Sequence, residues 1–167
     1  MDMDAVADKY VNAEAAQCLE GANDYETLRN VWRFVKSNVT YKADKKGTEI
    51  VKSPSALFII GRGDCKSFSI SVASLLRALG FKGFRYRFAA YRNNANVTHV
   101  YVVCRLGGKD VILDAVHDYF DHEVRYAWKK DHRAAIGVNG IGRISDSNTQ
   151  PSNLIAWALI AWGAINL

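Results

Sequence analysis

The stretch Gly61-Arg62-Gly63-Asp64-Cys65-Lys66-Ser67-Phe68 admits two unrelated readings. Arg62-Gly63-Asp64 is an adhesion tripeptide that arises by chance in many chains. The same residues also break the chain with two glycines, offer Asp64 as a helix N-cap and seat Cys65 in the first helical turn. The residues downstream support the helix: Phe68, Val72, Leu75, Leu76 and Leu79 recur at three- and four-residue steps, and Gly80 stands as a C-terminal cap. On this reading Asp64 is needed as a cap and the tripeptide faces a cleft. The adhesion match is coincidence.

Upstream, residues 2–20 read as a helix ending at Gly21. Asn23 or Asp24 then looks like an N-cap with Glu26 close behind, and Leu28, Val31, Trp32 and Val35 predict an amphipathic helix to about Ser37. The segment NVTYKADKKG is a polar loop, and Ser53-Pro54 is a turn or helix start before ALFII. Downstream the period changes to two. FRYRFAAYR alternates aromatic and basic residues, Asn93 to Asn96 make a turn, and VTHVYVVCRL and KDVILDAV are strands joined at Gly107-Gly108. Helices first and strands second predict an α+β fold with an antiparallel sheet. From Ala134 a stretch rich in Gly, Ser and Asn (134–153) reads as a polar linker, leading to the uncharged segment Leu154–Leu167. Residues 1–133 are then the folded domain.

Composition bounds the rest. A chain of 167 residues with 49% hydrophobic and 23% charged content has room for one core. The formal charge of +5 comes from scattered pairs such as Lys45-Lys46 and Lys129-Lys130, with no nucleic-acid motif beside them, so a solvated basic surface is the simpler account. Three cysteines (Cys18, Cys65 and Cys104) match no zinc spacing and indicate a fold independent of disulfides. The acidic start MDMDAVADKY has none of the regions of a signal peptide, so a cytoplasmic protein or part of a larger assembly is expected. No cofactor is expected. His117, Asp118, Asp121 and His122 could bind a metal by residue type, but their spacing fits no familiar ligand motif.

A cysteine at a helix N-terminus lies at the positive end of the helix dipole, beside free N–H groups, which favours its thiolate. It also needs a base and a group to orient that base. Of the four histidines, His117, His122 and His132 sit in polar sequence, whereas His99 lies within a strand. If Gly107-Gly108 is a two-residue turn, Leu106 pairs with Lys109 and Tyr101 with Asp114. His99 is then the diagonal neighbour of Asp114, within reach of an imidazole–carboxylate bond. A four-residue loop would bring His99 to Asp118 instead. The Gly-Gly pair favours Asp114 and keeps Asp118 in reserve. Cys104, an odd number of residues from His99, should face the other way and pack.

The order Cys, His, Asp on a helix and two strands resembles the transglutaminase-like superfamily, whose members share a papain-like core. The resemblance runs from about Leu28 to Val116 through VWRFVKSNVTYKAD, SPSALFIIGRGDC, LLRALGFKGFRYRF, THVYVV and VILDAV. It implies N-terminal helices, with the nucleophile helix packed on an antiparallel sheet. It implies Cys65 as nucleophile, His99 as general base and acid, and Asp114 as the residue orienting His99. It also implies an oxyanion hole from the Cys65 N–H and an upstream donor, for which Asn38, Tyr41 and Ser53 are candidates. Ser67, Tyr101 and Ala115 depart from an acidic residue, a Trp and a Pro common in the family. The implied activity is that of a thiol hydrolase or acyltransferase acting on amides of a peptide, protein or peptidoglycan-like substrate.

The alternative is a non-catalytic assembly component, for instance of a phage particle, docking through its hydrophobic end. As a helix, Leu154–Leu167 would span about 21 Å, short of a hydrocarbon core of about 30 Å. Docking on a protein partner or a second copy is preferred to packing on its own domain, and membrane contact comes third.

Overall fold

Two glycines at the middle of the chain organise the fold around them. The computed structural model describes residue 3 and residues 16–45, 50–93 and 96–133. The predicted linker 134–153, the segment 154–167 and most of the predicted first helix lie outside the described residues. A 3-10 turn at Gln17–Leu19 precedes α1 (Asp24–Asn38), which Asn23 caps by accepting from the Glu26 N–H at 3.0 Å. Then come β1 (Thr40–Tyr41), α2 (Pro54–Ile60), β2 (Arg62–Gly63) and α3 (Cys65–Ala78). Ser53 caps α2, with Pro54 in its first turn, where a missing N–H costs nothing.

The second half is a four-stranded antiparallel sheet of β3 (Phe84–Ala90), β4 (His99–Leu106), β5 (Lys109–Leu113) and β6 (Trp128–Arg133), ordered β5-β4-β3-β6. Gly107 and Gly108 both have positive φ, at 55° and 84°, as a two-residue hairpin turn requires. Leu106 therefore pairs with Lys109 and Val102 with Leu113, the tight-turn register. The α+β architecture expected from the sequence is the one observed. β6 was not foreseen: all six of its residues are exposed, so it shows no apolar alternation. Its place on the sheet edge is held by pairing to β3 and by Asp131, which accepts from Arg87 and Arg85.

The main core lies between the helices and one sheet face. Leu28, Val31 and Val35 of α1 and Phe68, Val72 and Leu76 of α3 meet Phe84, Tyr86, Val100, Val102 and Leu113 there. Cys104 belongs to this core, as parity demands, and burial raises its thiol pKa to about 11. On the opposite face Ala89, Tyr101, Val103 and Ile112 form a smaller cluster.

Gly61, with φ of 68°, is the left-handed C-cap of α2. Gly63 is glycine for another reason: a Cβ there would lie 2.4 Å from Leu57 Cδ1 and 3.1 Å from Ser67 Cβ, both on buried residues. Gly63→Ala should destabilise the domain by about 1–3 kcal/mol through overpacking. A chemical-denaturation midpoint equal to wild type would contradict this. Because Gly63 joins α2 to α3, its close packing also sets where α3 begins.

Candidate active site

α3 begins at Cys65 because Asp64 ends the extended chain and caps the helix. The Asp64 carboxylate accepts from the Ser67 N–H at 3.0 Å and the Ser67 hydroxyl at 2.9 Å, and pairs with Lys66. Burial opposes ionisation of Asp64, but the Lys66 and Ser67 hydrogen bonds outweigh it and hold the carboxyl below its usual range. Asp64 is buried, with one oxygen capping α3 and the other facing Lys66, so the adhesion reading has no structural basis. Cys65 is half-buried, at the N-terminus of a fourteen-residue helix. The Ser69 hydroxyl lies 2.8 Å from the Cys65 carbonyl and 2.9 Å from the Val100 carbonyl, tying the first turn of α3 to β4 next to His99.

His99 opens β4 and is only 7% exposed. Its Nε2 is 2.7 Å from Asp114 Oδ2, the neighbour that the tight-turn register predicts. Asp118 does not take that place; it is exposed and pairs with Lys36 at 2.7 Å. Asp114 is buried and held from several sides. Its carbonyl accepts from Trp32 Nε1 at 2.9 Å and the His117 N–H at 3.1 Å, and Oδ1 accepts from the Val116 N–H at 3.2 Å. The indole of Trp32 thus carries the position of α1 to the carboxylate, a role that its helical spacing in the sequence does not reveal.

With Nε2 occupied, Nδ1 is the ring nitrogen left to face Cys65, whose thiol lies close enough to act on the His99 charge. Burial disfavours a charged imidazole, but the Asp114 and Cys65 hydrogen bonds, with the charges of both, outweigh it. The His99 pKa is pushed up to about 9. Cys65, His99 and Asp114, named from the sequence, are brought together.

Aromatic rings flank the histidine. Tyr91 and Tyr101 lie with ring centroids 6.0 Å and 5.6 Å from His99, tilted by 33° and 32°. Burial, followed by the charges of Asp114 and Cys65, raises the Tyr91 pKa to about 12. Burial and then the Cys65 charge raise the pKa of Tyr41, although nearly half of it (46%) is exposed. The other two upstream polar candidates are engaged elsewhere. Asn38 Nδ2 donates to the Phe34 carbonyl at 2.8 Å, and Ser53 caps α2.

His117, which the sequence places in a polar stretch, is the site residue that the sequence reading missed. It is half-buried, and its Nε2 is 3.5 Å from Asp114 Oδ2. A turn after β5 folds it back, and its position three residues past Asp114 was the available signal. Possible ligand atoms of His99, Asp114 and His117 lie within 4.8 Å of one another. A zinc-sized ion would separate two donors by about 3.3 Å, so it would have to break the 2.7 Å His99–Asp114 pair.

The transglutaminase-like superfamily matches this chain over residues 13–128, more than half its length and spanning α1 to the start of β6. The chain belongs to that superfamily. Among solved structures, the chain is similar in fold to LapG of Legionella pneumophila. Its calcium-bound form has 20% identity and a TM-score of 0.54, covering 72% of this chain and 76% of that one. A second LapG structure has 21% identity and a TM-score of 0.53, covering 71% of each. A Cytophaga hutchinsonii protein described as a candidate cysteine protease has 21% identity and a TM-score of 0.47. That match covers 68% of this chain but only 36% of the longer protein. At these identities the likeness is one of fold. No curated protein matches the chain. No helix among the described residues is long and apolar enough to cross a membrane.

Proposed function

We propose that this domain is a thiol-dependent hydrolase or acyltransferase acting on amide bonds of peptides or proteins, with Cys65 as nucleophile. His99 is its base and acid, and Asp114 orients His99. The observation that carries this reading is the His99 imidazole, buried between a fixed carboxylate at 2.7 Å and the thiol at a helix N-terminus. In the reaction, His99 Nδ1 takes the thiol proton and the thiolate attacks the amide carbonyl. The oxyanion is met by the Cys65 N–H and, of the three upstream candidates, by the Tyr41 hydroxyl, which stands in the field of Cys65. The imidazolium then protonates the leaving amine. A thioester remains, to be resolved by water or by a second amine.

The test is the alkylation of Cys65 by iodoacetamide at pH 7, followed by peptide mass mapping so that Cys18 and Cys104 are scored separately. Cys65 should react about 10-fold faster than an ordinary free thiol, which is only a few per cent ionised at that pH. A rate no faster than a free thiol would overturn the reading. Asp114→Asn should lower the wild-type rate several-fold by disturbing the tautomer and charge of His99 while keeping its shape. Equal rates in the two proteins would remove Asp114 from the mechanism.

A further inference from the structure

Next to β2, just before the start of α3, lies a cleft that the amide chemistry itself does not use. The loop after β1 leaves the site at Lys42, whose N–H donates to the Gly63 carbonyl at 2.8 Å. It is then folded back by Asp44. That carboxylate accepts from the Ile50 N–H at 3.0 Å and lies 3.5 Å from Lys66 Nζ and 4.0 Å from Lys52 Nζ. Between this loop and β2 is a cleft of about 360 Å³ whose lining includes Lys42, Lys45, Lys52 and Arg62. Among the described residues, Asp44 is the single carboxylate on the lining, and it is already committed to holding the loop. Among the described residues, Lys42, Lys45 and Arg62 meet no carboxylate, and all three are exposed. Gly63 also lines the cleft. Two residues of chain span at most about 7 Å, so this part of the cleft wall lies within that distance of the Cys65 Cα.

We propose that this cleft selects the substrate by binding carboxylate side chains of the peptide whose amide is presented to Cys65. The inference rests on the thiol reading above and adds the substrate class to it. A bound peptide advances about 3.3 Å per residue, so the carboxylates recognised lie within one to three residues of the bond attacked. Lysines and an arginine around an open cleft act as a field more than as fixed partners. They raise the local concentration of an anionic chain and hasten its arrival, an effect that salt screens. The bare pattern of sequence does not reveal this grouping, because Lys42, Lys45, Lys52 and Arg62 come from four separated positions.

The test uses the full chain and three N-iodoacetyl tripeptide amides, Gly-Glu-Glu, Gly-Gln-Gln and Gly-Lys-Lys, with iodoacetamide as neutral reference. Cys65 modification is followed by peptide mass mapping. At low ionic strength the Glu probe should modify Cys65 about 10-fold or more faster than the Lys probe, with the Gln probe between them. The preference should shrink several-fold in 0.5 M salt. In the double variant Lys42→Glu/Arg62→Glu it should vanish or reverse, each rate being divided by that variant's own iodoacetamide rate. A rapidly alkylated Cys65 without charge preference overturns this inference and leaves the thiol reading standing. A preference that survives the double variant also overturns it. A Cys65 no faster than a free thiol toward iodoacetamide overturns the thiol reading, and this one with it.

Discussion

His99→Ala is expected to cut the iodoacetamide reactivity of Cys65 at pH 7 by about 10-fold. Acyl transfer from any amide that the protein accepts should fall by about 100- to 10,000-fold. The two magnitudes differ for a physical reason. Alkylation needs only the thiolate, and a thiolate gained through a charged partner is also a weaker nucleophile, so part of the gain cancels. Amide cleavage needs the imidazole twice, first to take the thiol proton and then to deliver one to the leaving nitrogen. A variant that loses reactivity in both assays by the same small factor would argue against His99 as the acid.

The same residue gives a stability signature. The folded pKa of His99 is raised to about 9, against an ordinary value of about 6.5. A group whose folded pKa is raised contributes stability that is complete below the unfolded value and is lost as pH climbs through the folded one. The melting temperature of the wild type should therefore fall between pH 6.5 and 9.5 by more than that of His99→Gln, which carries no proton to lose. Parallel profiles for the two proteins would show that the imidazolium is not stabilised in the fold.

The second large effect concerns Arg87, which has no predicted catalytic role yet is only 2% exposed. Its guanidinium donates to both Asp131 oxygens at 2.7 Å and 2.8 Å, to Glu123 at 2.5 Å and to Asp110 at 3.4 Å. Arg87→Met keeps the stem of the side chain but leaves Glu123 without the Arg87 cation and Asp131 and Asp110 with fewer donors, since both still meet Arg85. Removing one partner of a buried pair costs about 3–5 kcal/mol. Here the carboxylates are roughly 30% exposed, so the lower end, about 3 kcal/mol, is expected. In a domain of this size that lowers the melting temperature by about 10 °C.

The acid limb offers an independent check on the same network. Hydrogen bonds from Arg87, partly opposed by burial, hold the Asp131 carboxyl well below its ordinary range. A depressed pKa contributes stability above the unfolded value of about 3.9, lost as pH falls toward the folded one. Wild type should therefore lose more stability between pH 5 and 2 than Arg87→Met. The network also reaches the site: Glu123 accepts the Tyr101 hydroxyl at 2.7 Å, and the Tyr101 ring lies beside His99.

What the sequence determined by itself was whatever local rules control. Asp64 as cap, Cys65 in the first turn and the Leu75/Leu76 face of α3 come from helix geometry over a few residues. The pairing of His99 with Asp114 came from the period of a strand and the length of one Gly-Gly turn, because register allows only one partner once the turn is known. What only the tertiary structure decided came from residues distant in sequence or lacking an apolar pattern. β6 has no buried face, so nothing in its composition marks it as a strand until Arg85 and Arg87 engage Asp131. Arg87 read as one cation among several, and its burial depends on carboxylates 23 to 44 residues away. His117 reached Asp114 through a loop turn, and Trp32 reached it across 82 residues. Charge and hydrogen bonding act through space, and their partners are known only when the chain has closed.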